Sequence, residues 1–344
     1  DWSSDVCSSD LNEIGQYLVP AKAIRATPLR VRILQSNLPQ TIKMKVFYEL
    51  SRSSSDKYLQ WCMKLLSVPY GIRHPPPRHD IQTAKTMMDA TIMGHDLAKR
   101  EVLKILQQSI ANPTELQMAY SLGLEGPPGC GKTQFVKTCM STALGRPIVS
   151  IPLGGASDGA SFLWGHNYTY EGSKEGRLLG ALMEVGVCNP IIHFDEVDKV
   201  SEEKTGGAEI IASLIHLIDP SANSALRDRY LHDVDISFRE CIFVFSYNDP
   251  SKINPILLNR IKRVQLQAPN SEEKIEIIQK ILLPRIQKRL KTELTLTKES
   301  IEWIVEVNRK ETGMREIERC IDHIIGGAIL EKELQQCAKD CILN

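Results

Sequence analysis

The sequence predicts an α/β fold: a parallel β-sheet flanked by helices, a helical segment before it and a small all-helical lid domain after it. Three observations support this prediction. Five short apolar segments alternate with helical patterns, a glycine-rich motif follows the first segment, and the pattern is wholly helical after Pro269. The predicted strands are residues 121–124, 148–151, 191–194, 242–246 and 264–266.

The chain divides into four predicted parts. Residues 1–11 (DWSSDVCSSDL) lack an initiator Met, any periodicity and a signal-peptide core, so we expect them to be foreign and the true N-terminus to lie upstream. Residues 12–79 are predicted to be helical at 43–66 and to end in a stiff, proline-rich linker. The α/β domain is expected at 80–268 and the lid at 269–344.

Helical patterns fill the spaces between the strands. Residues 80–112 are amphipathic with a break at Gly94, and residues 134–144 continue from the glycine-rich motif. The remaining predicted helices are 175–185, 209–218, 271–289, 298–310 and 314–334.

The glycine-rich motif has the pattern G-x-x-x-x-G-K-[ST], which is the P-loop. Glycines allow backbone turns in which successive N–H groups point at phosphate oxygens. Lys132 would reach the β- and γ-phosphates, and the Thr133 hydroxyl would ligate Mg²⁺. This pattern predicts binding of a nucleoside triphosphate with Mg²⁺, and the motif residues are Gly126, Pro127, Pro128, Gly129, Cys130, Gly131, Lys132 and Thr133.

Two later strands end in polar residues suited to the same chemistry. Asp195 and Glu196 follow an apolar strand, where Asp195 would hold Mg²⁺ and Glu196 would polarise the attacking water. Asn248 follows another strand and either orients that water or is an ordinary turn residue. A strand ending in acids is a weak signal alone and a strong one beside a P-loop.

Taken together, these residues resemble the AAA+ ATPases and, within them, the ATPase module of the Lon proteases. The resemblance covers roughly residues 46–344, including the Tyr58–Trp61 sequence YLQW. Its most specific blocks are 153–158 (LGGASD), 164–172 (WGHNYTYEG), 186–190 (GVCNP), 195–199 (DEVDK), 217–220 (LIDP) and 228–231 (DRYL).

The resemblance implies an ATP-hydrolysing motor that works as a homo-oligomeric ring, expected to be a hexamer, and that unfolds and translocates proteins. Asn248 matches sensor 1, Arg260 an arginine finger acting on a neighbouring subunit, and Arg315 sensor 2 on the lid. From spacing alone, each arginine would be a surface salt-bridge partner. Tyr170, Glu171 and Gly172 match a substrate-gripping pore loop, although Tyr170 could instead pack on the ATPase core.

Several positions depart from the family pattern. Asn167 and Tyr168 stand where relatives usually carry two basic residues, and Glu171 replaces an apolar residue. Residues 205–209 (TGGAE) put the second pore loop in doubt, and Glu125 places an acid close to the phosphates, from which we expect it to be turned aside. A peptidase domain with a Ser-Lys dyad would follow the lid, so we expect peptidase activity only where such a domain is encoded downstream.

Composition argues against nucleic acid or a membrane surface as the partner. The 42 Lys and Arg residues equal the 42 Asp and Glu residues, so no overall field attracts nucleic acid or an anionic membrane. The alternatives are a nucleic-acid remodeller, such as a clamp or helicase loader, and a regulatory scaffold that binds nucleotide without productive turnover. The nine unpatterned cysteines indicate a cytoplasmic or other reducing compartment, and no apolar run spans a membrane.

Overall fold

The computed structural model describes residues 27–52, 55–111, 120–156, 158–200 and 206–342, with side chains described as far as residue 331. The predicted foreign segment 1–11, Ser157 and Thr205 therefore lie outside the described residues. Within the described ranges, none of the helices has both the length and the apolarity that crossing a bilayer requires.

Five parallel strands form the central sheet, in the order β2-β3-β6-β1-β7. A separate antiparallel pair, β4 and β5, lies outside it. The strands are β1 (Tyr120–Glu125), β2 (Ile148–Pro152), β3 (Ile191–Asp195), β4 (Leu226–Arg227), β5 (Asp235–Ile236), β6 (Ile242–Tyr247) and β7 (Lys262–Gln265).

Besides two 3₁₀ helices at Val197–Lys199 and Pro250–Lys252, the described residues form thirteen α-helices. They are α1 (Leu29–Gln35), α2 (Gln40–Arg52), α3 (Asp56–Leu66), α4 (Ile81–Thr91), α5 (Asp96–Ala111), α6 (Lys132–Gln134, a π-helical stretch Phe135–Met140, and Ser141–Leu144), α7 (Ala160–Trp164), α8 (Arg177–Val185), α9 (Gly207–Leu217), α10 (Pro255–Asn259), α11 (Ser271–Ile277, a π-helical stretch Ile278–Leu282, and Leu283–Leu290), α12 (Lys298–Val307) and α13 (Arg315–Ile342).

The sheet is buried on both faces, which explains why its strands read as continuous apolar runs. In β6, Phe243 and Phe245 belong to one hydrophobic cluster while Ile242 and Val244 belong to another. The first cluster also contains α8, α9 and the N-terminal helices, and the second contains α4, α5 and α6. The doubly wound α/β architecture predicted from the sequence is therefore confirmed.

The N-terminal helices pack on the sheet instead of standing apart from it. Trp61, Cys62 and Leu65 of α3 are buried in the same cluster as the β3 residue Phe194. The proline-rich segment that follows is also attached, because His74 exchanges two hydrogen bonds with Asn189.

The lid has a hydrophobic cluster of its own, built from α11, α12 and α13. Its first helix begins at a capping box in which Asn270 and Glu273 each accept a hydrogen bond from the other's backbone N–H. The helical domain after Pro269 is thus confirmed, while the exact four-part division of the chain stays a prediction.

Two predicted elements were wrong in detail. The helical pattern 43–66 is two helices, because α2 ends at Arg52 and Ser55 caps a new helix by accepting a hydrogen bond from Tyr58 N. The last strand was predicted at 264–266 but begins at Lys262. Since β7 is an edge strand paired only with β1, polar residues are tolerated there and the apolar pattern misses them.

Candidate functional site

The site lies where three parallel strands end. Because β6 lies between β1 and β3, the carboxyl ends of these strands meet at one edge of the sheet. The P-loop follows β1, Asp195 ends β3, and Asn248 follows β6. The strand order therefore brings together residues that are distant in sequence, at the position where open α/β sheets bind ligands.

The P-loop adopts a backbone that requires glycine at several points. Gly129 and Gly131 have φ angles of 76° and 97°, in the left-handed region. A Cβ on Gly126 would collide with the backbone carbonyl of Leu266. The loop ends at the N-terminus of α6, where free N–H groups and the helix dipole favour a bound anion.

Lys132 points back across the P-loop. Its Nζ donates to the carbonyl oxygens of Gly126 and Pro127 at 2.7 and 3.0 Å, and to Asn248 Oδ1 at 2.7 Å. Burial lowers the pKa of the Lys132 ammonium from its usual value, while nearby acidic groups, including Asp195, oppose the shift. The cation is thus fixed between the P-loop and the end of β6.

Thr133 and Asp195 supply the oxygen donors that Mg²⁺ prefers. The Thr133 hydroxyl donates to Asp195 Oδ2 at 3.1 Å, so the two side chains predicted as magnesium ligands are adjacent. A hydroxyl and a carboxylate beside a helix N-terminus suit a cation that also contacts phosphates. The donor set therefore fits the expected Mg²⁺.

A buried polar chain lies behind Asp195. Ser246 Oγ donates to Asp195 Oδ1 at 2.5 Å, and His193 Nε2 lies 2.9 Å from Ser246 Oγ. Because the Ser246 proton is used toward Asp195, His193 Nε2–H donates to Ser246, and Nδ1, 3.2 Å from Ser150 Oγ, accepts from that hydroxyl. Burial lowers the pKa of His193 to about 4, which keeps the ring neutral.

Glu196 lies beside this carboxylate in a strained conformation. Its φ of 59° puts a non-glycine residue in the left-handed region, at a cost of order 1–3 kcal/mol. Gly154 makes room for the side chain, because a Cβ there would overlap Glu196 Oε2. The Glu196 side chain lines the same cavity as Lys132 and Asp195.

Asp198 ties the segment after β3 to the segment after β6. Its Oδ2 accepts hydrogen bonds from the backbone N–H groups of Asn248 and Asp249 at 3.1 and 3.2 Å. This contact fixes the backbone position of Asn248, whose side-chain oxygen accepts a hydrogen bond from Lys132. Asp198 therefore links the segment that contains Asp195 and Glu196 to Asn248.

The cavity is lined by both polar and apolar groups. Its volume is about 630 Å³, and its lining includes the P-loop, Asp195, Glu196, Asn248 and Arg315. From the α4–α5 connection and the lid it includes the apolar residues Ile92, Met93, Pro269, Ile277, Ile281 and Leu282 and the charged residues Glu273, Glu276, Arg285 and Glu318. Such a lining suits a ligand that has both a phosphate chain and a flat, weakly polar group.

The lid contacts the P-loop where residues Gly313 and Met314 lie against Gly129. Met314 N donates to the Gly129 carbonyl at 3.1 Å, and a Cβ on Gly129 would lie 3.0 Å from the Gly313 Cα. Two glycines therefore allow the two backbones to touch. The next residue, Arg315, lines the cavity and has no ion-pair partner among the described residues.

Comparison with known proteins agrees with this geometry. Residues 122–268 match the family described as "ATPase family associated with various cellular activities (AAA)". The chain is 33% identical over 252 residues, 72% of its length, to a Lon protease homolog of Acanthamoeba polyphaga mimivirus. It is 30% identical over 319 residues, 89% of its length, to the Lon protease of Ureaplasma parvum serovar 3. A peroxisomal Lon protease homolog 2 of Arabidopsis thaliana is 32% identical over 270 residues, 78% of the chain.

The chain contains a Lon-like AAA+ module. It spans only part of these relatives, namely 24%, 39% and 29% of their respective lengths. The AAA+ family assignment carries nucleotide binding and ATPase activity with it, in agreement with the P-loop and the Thr133–Asp195 pair.

Arg260 is not part of the cavity of its own Lon-like AAA+ module. It follows α10 and pairs with Asp219 Oδ2 at 2.7 Å on the surface. Hydrogen bonds from Ser221 and Arg260 lower the pKa of the Asp219 carboxyl. The structure thus brings Lys132, Thr133, Asp195, Glu196, Asn248 and Arg315 together, and leaves Arg260 outside this group.

Tyr170 lies on an exposed loop of the module. We call residues 165–176 the Tyr170 loop; its ends are joined where His166 N donates to the Lys174 carbonyl at 3.0 Å. The Tyr170 side chain is 70% exposed, so the alternative that it packs on the ATPase core was wrong. Glu171 and Gly172 are exposed beside it.

The acid that precedes the P-loop is held away from the cavity. Glu125 pairs with Arg263 at 2.8 Å and accepts a hydrogen bond from Gln265 at 3.2 Å, both on β7. Its charge is balanced there, so Glu125 does not face the phosphate site. Of the doubtful second loop, residues 206–209 are described, and Glu209 accepts a hydrogen bond from Ala160 N at 2.9 Å.

Sequence reasoning missed three residues of the site. His193 was counted only as part of an apolar strand, although a histidine inside such a strand is itself a signal of a buried polar contact. Asp198 belonged to a quoted block but received no role. His95, with a φ of 59° and Nε2 3.1 Å from the Cys130 carbonyl, borders the P-loop, and nothing in the local pattern indicates it.

Proposed function

We propose that this module is an ATP-driven motor that unfolds protein substrates and threads them through a ring of identical subunits, as the ATPase part of a Lon-like protease. The observation that carries the proposal is a cavity that brings Lys132, Asp195, Glu196 and other nucleotide-site side chains together, with an exposed aromatic loop elsewhere on the same module. The names of the relatives, all Lon proteases or Lon protease homologs, support a protein substrate.

In this proposal the residues divide the chemistry of ATP hydrolysis between them. Lys132 and the P-loop N–H groups bind the phosphates, and Thr133 and Asp195 hold Mg²⁺, which neutralises phosphate charge when bound. Glu196 accepts the proton of the attacking water. Asn248 orients that water. Arg315 lies at the start of the lid helix α13, so its contact with the bound nucleotide couples the nucleotide state to the position of the lid.

Arg260 is proposed to complete the site of a neighbouring subunit. The Arg260 guanidinium lies outside the cavity of its own chain and is partly exposed, so it can contact a second copy of the chain without local unfolding. A planar cation next to the γ-phosphate stabilises the charge that develops there. Closed rings with head-to-tail interfaces give every site such a donor, and a hexamer is the state we propose.

Tyr170 is proposed to grip the polypeptide. An exposed aromatic ring offers apolar area to a chain of any sequence, and Gly172, with a φ of 75° and open space around its Cα, lets the loop tip move. Glu171 makes the grip less apolar than in typical relatives and biases it toward basic segments. A nucleic-acid remodeller is a weaker candidate, because the overall charge is balanced and the exposed tip carries an acid.

The substitution Tyr170→Ala tests the threading step. We expect ATP hydrolysis to stay within about twofold of the parent, because surface substitutions away from packed features change little. We expect ATP-dependent unfolding of a tagged, stably folded fluorescent reporter to be lost. Tyr170→Phe, which keeps the ring, is the matched control and should retain unfolding.

Equal reporter unfolding by Tyr170→Ala and parent protein would remove Tyr170 from the mechanism. A regulatory scaffold would instead show nucleotide binding and neither turnover nor reporter unfolding in the parent protein itself. Assays of nucleotide binding, ATP turnover and reporter unfolding thus distinguish the motor hypothesis from the scaffold hypothesis.

A further inference from the structure

Both arms of the Tyr170 loop are in contact with the N-terminal helix α3. Lys57, Trp61 and Lys64 are spaced by four and three residues, so they share one face of that helix. Lys57 Nζ donates to the Thr169 carbonyl at 2.9 Å, immediately before Tyr170. Lys64 pairs with Glu175 at 2.5 Å, on the other arm of the loop.

Trp61, the middle residue of that face, lies beside an aromatic cluster that includes Tyr168 of the loop. The Trp61 ring lies 6.2 Å from the Tyr168 ring, and Tyr168 stacks on His232 at 5.8 Å with an interplanar angle of 12°. Trp61 is 5% exposed, and its Nε1 donates to the Tyr230 carbonyl at 2.9 Å. Tyr168 is therefore held between α3 and the segment that contains Tyr230 and His232.

The same segment also fixes the end of the loop. Asp228 Oδ2 accepts from Gly176 N at 2.8 Å and Asp228 Oδ1 from Tyr230 N at 2.8 Å. The tip is different, since Tyr170 lies only two residues beyond Tyr168 and is mostly exposed. The backbone of the loop is thus held by hydrogen bonds, while the side chain of Tyr170 at its tip is exposed.

We propose that Trp61 and Tyr168 are positioning residues for the Tyr170 loop, and that α3 fixes the direction in which Tyr170 is presented to a polypeptide. The consequence for polypeptide capture rests on the proposed function; the positioning itself does not. Displacing α3 moves the base of the loop, so whatever binds to the N-terminal helices changes the position of Tyr170. The contacts of Tyr168 fit this role, because its ring lies between those of Trp61 and His232.

Amide hydrogen exchange measured on the full chain tests the positioning. The informative amides are His166, Thr169 and Tyr170, each of which donates a hydrogen bond within the loop. From the usual strength of such aromatic pairs, Tyr168→Ala should speed the exchange of these amides about two- to thirteenfold. Exchange in β3 and β6 should not change.

Two further variants separate positioning from loss of fold. Tyr168→Phe keeps the ring and should leave loop exchange at the parent level, and Lys57→Gln, an exposed change, should speed exchange at Thr169 and Tyr170. Lys45→Gln is the matched control, because Lys45 also joins the N-terminal helices to this segment, through Asp233, but does not contact the loop. Parent-level exchange in Tyr168→Ala, or faster exchange throughout the sheet, would overturn the proposal.

Reporter unfolding then links the positioning to function. We expect Tyr168→Ala to keep the KM for ATP and to lose most unfolding activity. If loop exchange rises while Tyr170→Ala still unfolds the reporter, the positioning stands and the gripping role of Tyr170 is wrong. If the Tyr170→Ala variant does not unfold the reporter while the Tyr168→Ala variant unfolds it as well as the parent does, α3 does not position Tyr170 and the proposal is wrong.

Discussion

In the nucleotide cavity, Lys132 is held by three acceptors and Asp195 by two hydroxyls, whereas the Tyr170 side chain is 70% exposed. Both regions belong to one domain, yet the side chains of the cavity are hydrogen-bonded to one another whereas the Tyr170 ring is exposed. All three N–H bonds of the Lys132 ammonium are directed at protein acceptors, so a phosphate that binds there would replace at least one of these acceptors. An exposed ring on a held loop suits contact with many different chains.

From this difference we expect ATP turnover to depend on the cavity and mechanical work to depend on the Tyr170 loop. The cavity contains its chemistry within one chain, except for the cation that we propose Arg260 supplies to a neighbour. The loop carries no group of the nucleotide site, and the role that we propose for it depends on a polypeptide partner and on the proposed ring. Substitutions in the two regions should therefore separate ATP turnover from mechanical work.

The largest expected effects come from the cavity. Lys132→Ala should abolish ATP binding, because it removes the cation that bridges the P-loop and Asn248. Glu196→Gln should bind ATP normally and lower kcat by about 10²- to 10⁴-fold, the usual contribution of a general base. Equilibrium binding of a fluorescent ATP analogue and steady-state phosphate release measure the two effects. Turnover by Glu196→Gln equal to that of the parent would remove Glu196 from the mechanism.

A smaller but more specific effect is expected between subunits. Arg260→Ala should bind ATP normally and lose turnover. An equal mixture with Glu196→Gln protein should recover about a quarter of parent turnover, since about one interface in four then pairs an intact Glu196 with an intact Arg260. Lack of recovery where mixed rings demonstrably form would contradict the assignment in trans, as would turnover by a monomer at all protein concentrations.

The smallest expected effects are on stability, and they have opposite signs in the two regions. The pKa of His193, about 4, lies below its unfolded value, so between about pH 6.5 and pH 4 the unfolded chain binds a proton that the folded chain does not. Acid therefore destabilises the cavity region. Burial raises the pKa of Asp228 to about 6, so stability is gained as the pH falls through 6 and lost as it rises.

Urea unfolding at pH 7 and pH 5 measures both contributions. Relative to His193→Leu, the parent should lose about 2 kcal/mol of unfolding free energy between these pH values. Relative to Asp228→Asn, it should gain about 1 kcal/mol. The same sign for both differences would show that one of the two burial assignments is wrong.

The sequence was sufficient for the parts of the molecule that follow local rules. Strand periodicity located all five strands of the sheet, and the motif spacing located Lys132, Thr133 and Asp195, because the P-loop chemistry demands these residue types. The order of the strands was not predicted, since local patterns do not specify which strands pair.

Other features depend on contacts between distant parts of the chain. His193 reads as one polar residue in an apolar strand until Ser150 and Ser246 are seen on the neighbouring strands. The contact between Trp61 and Tyr168 joins the N-terminal helices to a loop of the AAA+ module, and no periodicity encodes it. Arg260 lies outside the cavity of its own chain, so only the resemblance suggests a role for it, in the site of a second subunit.

The most direct test of the account is a crosslink from the loop tip to a polypeptide. A photo-crosslinking phenylalanine analogue would replace Tyr170, or as a control Trp303, in Glu196→Gln protein, which we expect to retain ATP without hydrolysing it. Trp303 is 62% exposed on the lid, so random collisions would label both positions alike. The account predicts an ATP-dependent adduct with a tagged, unstructured polypeptide at position 170 and none at position 303. Equal labelling at both positions, or none at 170 under conditions where rings form, would contradict it.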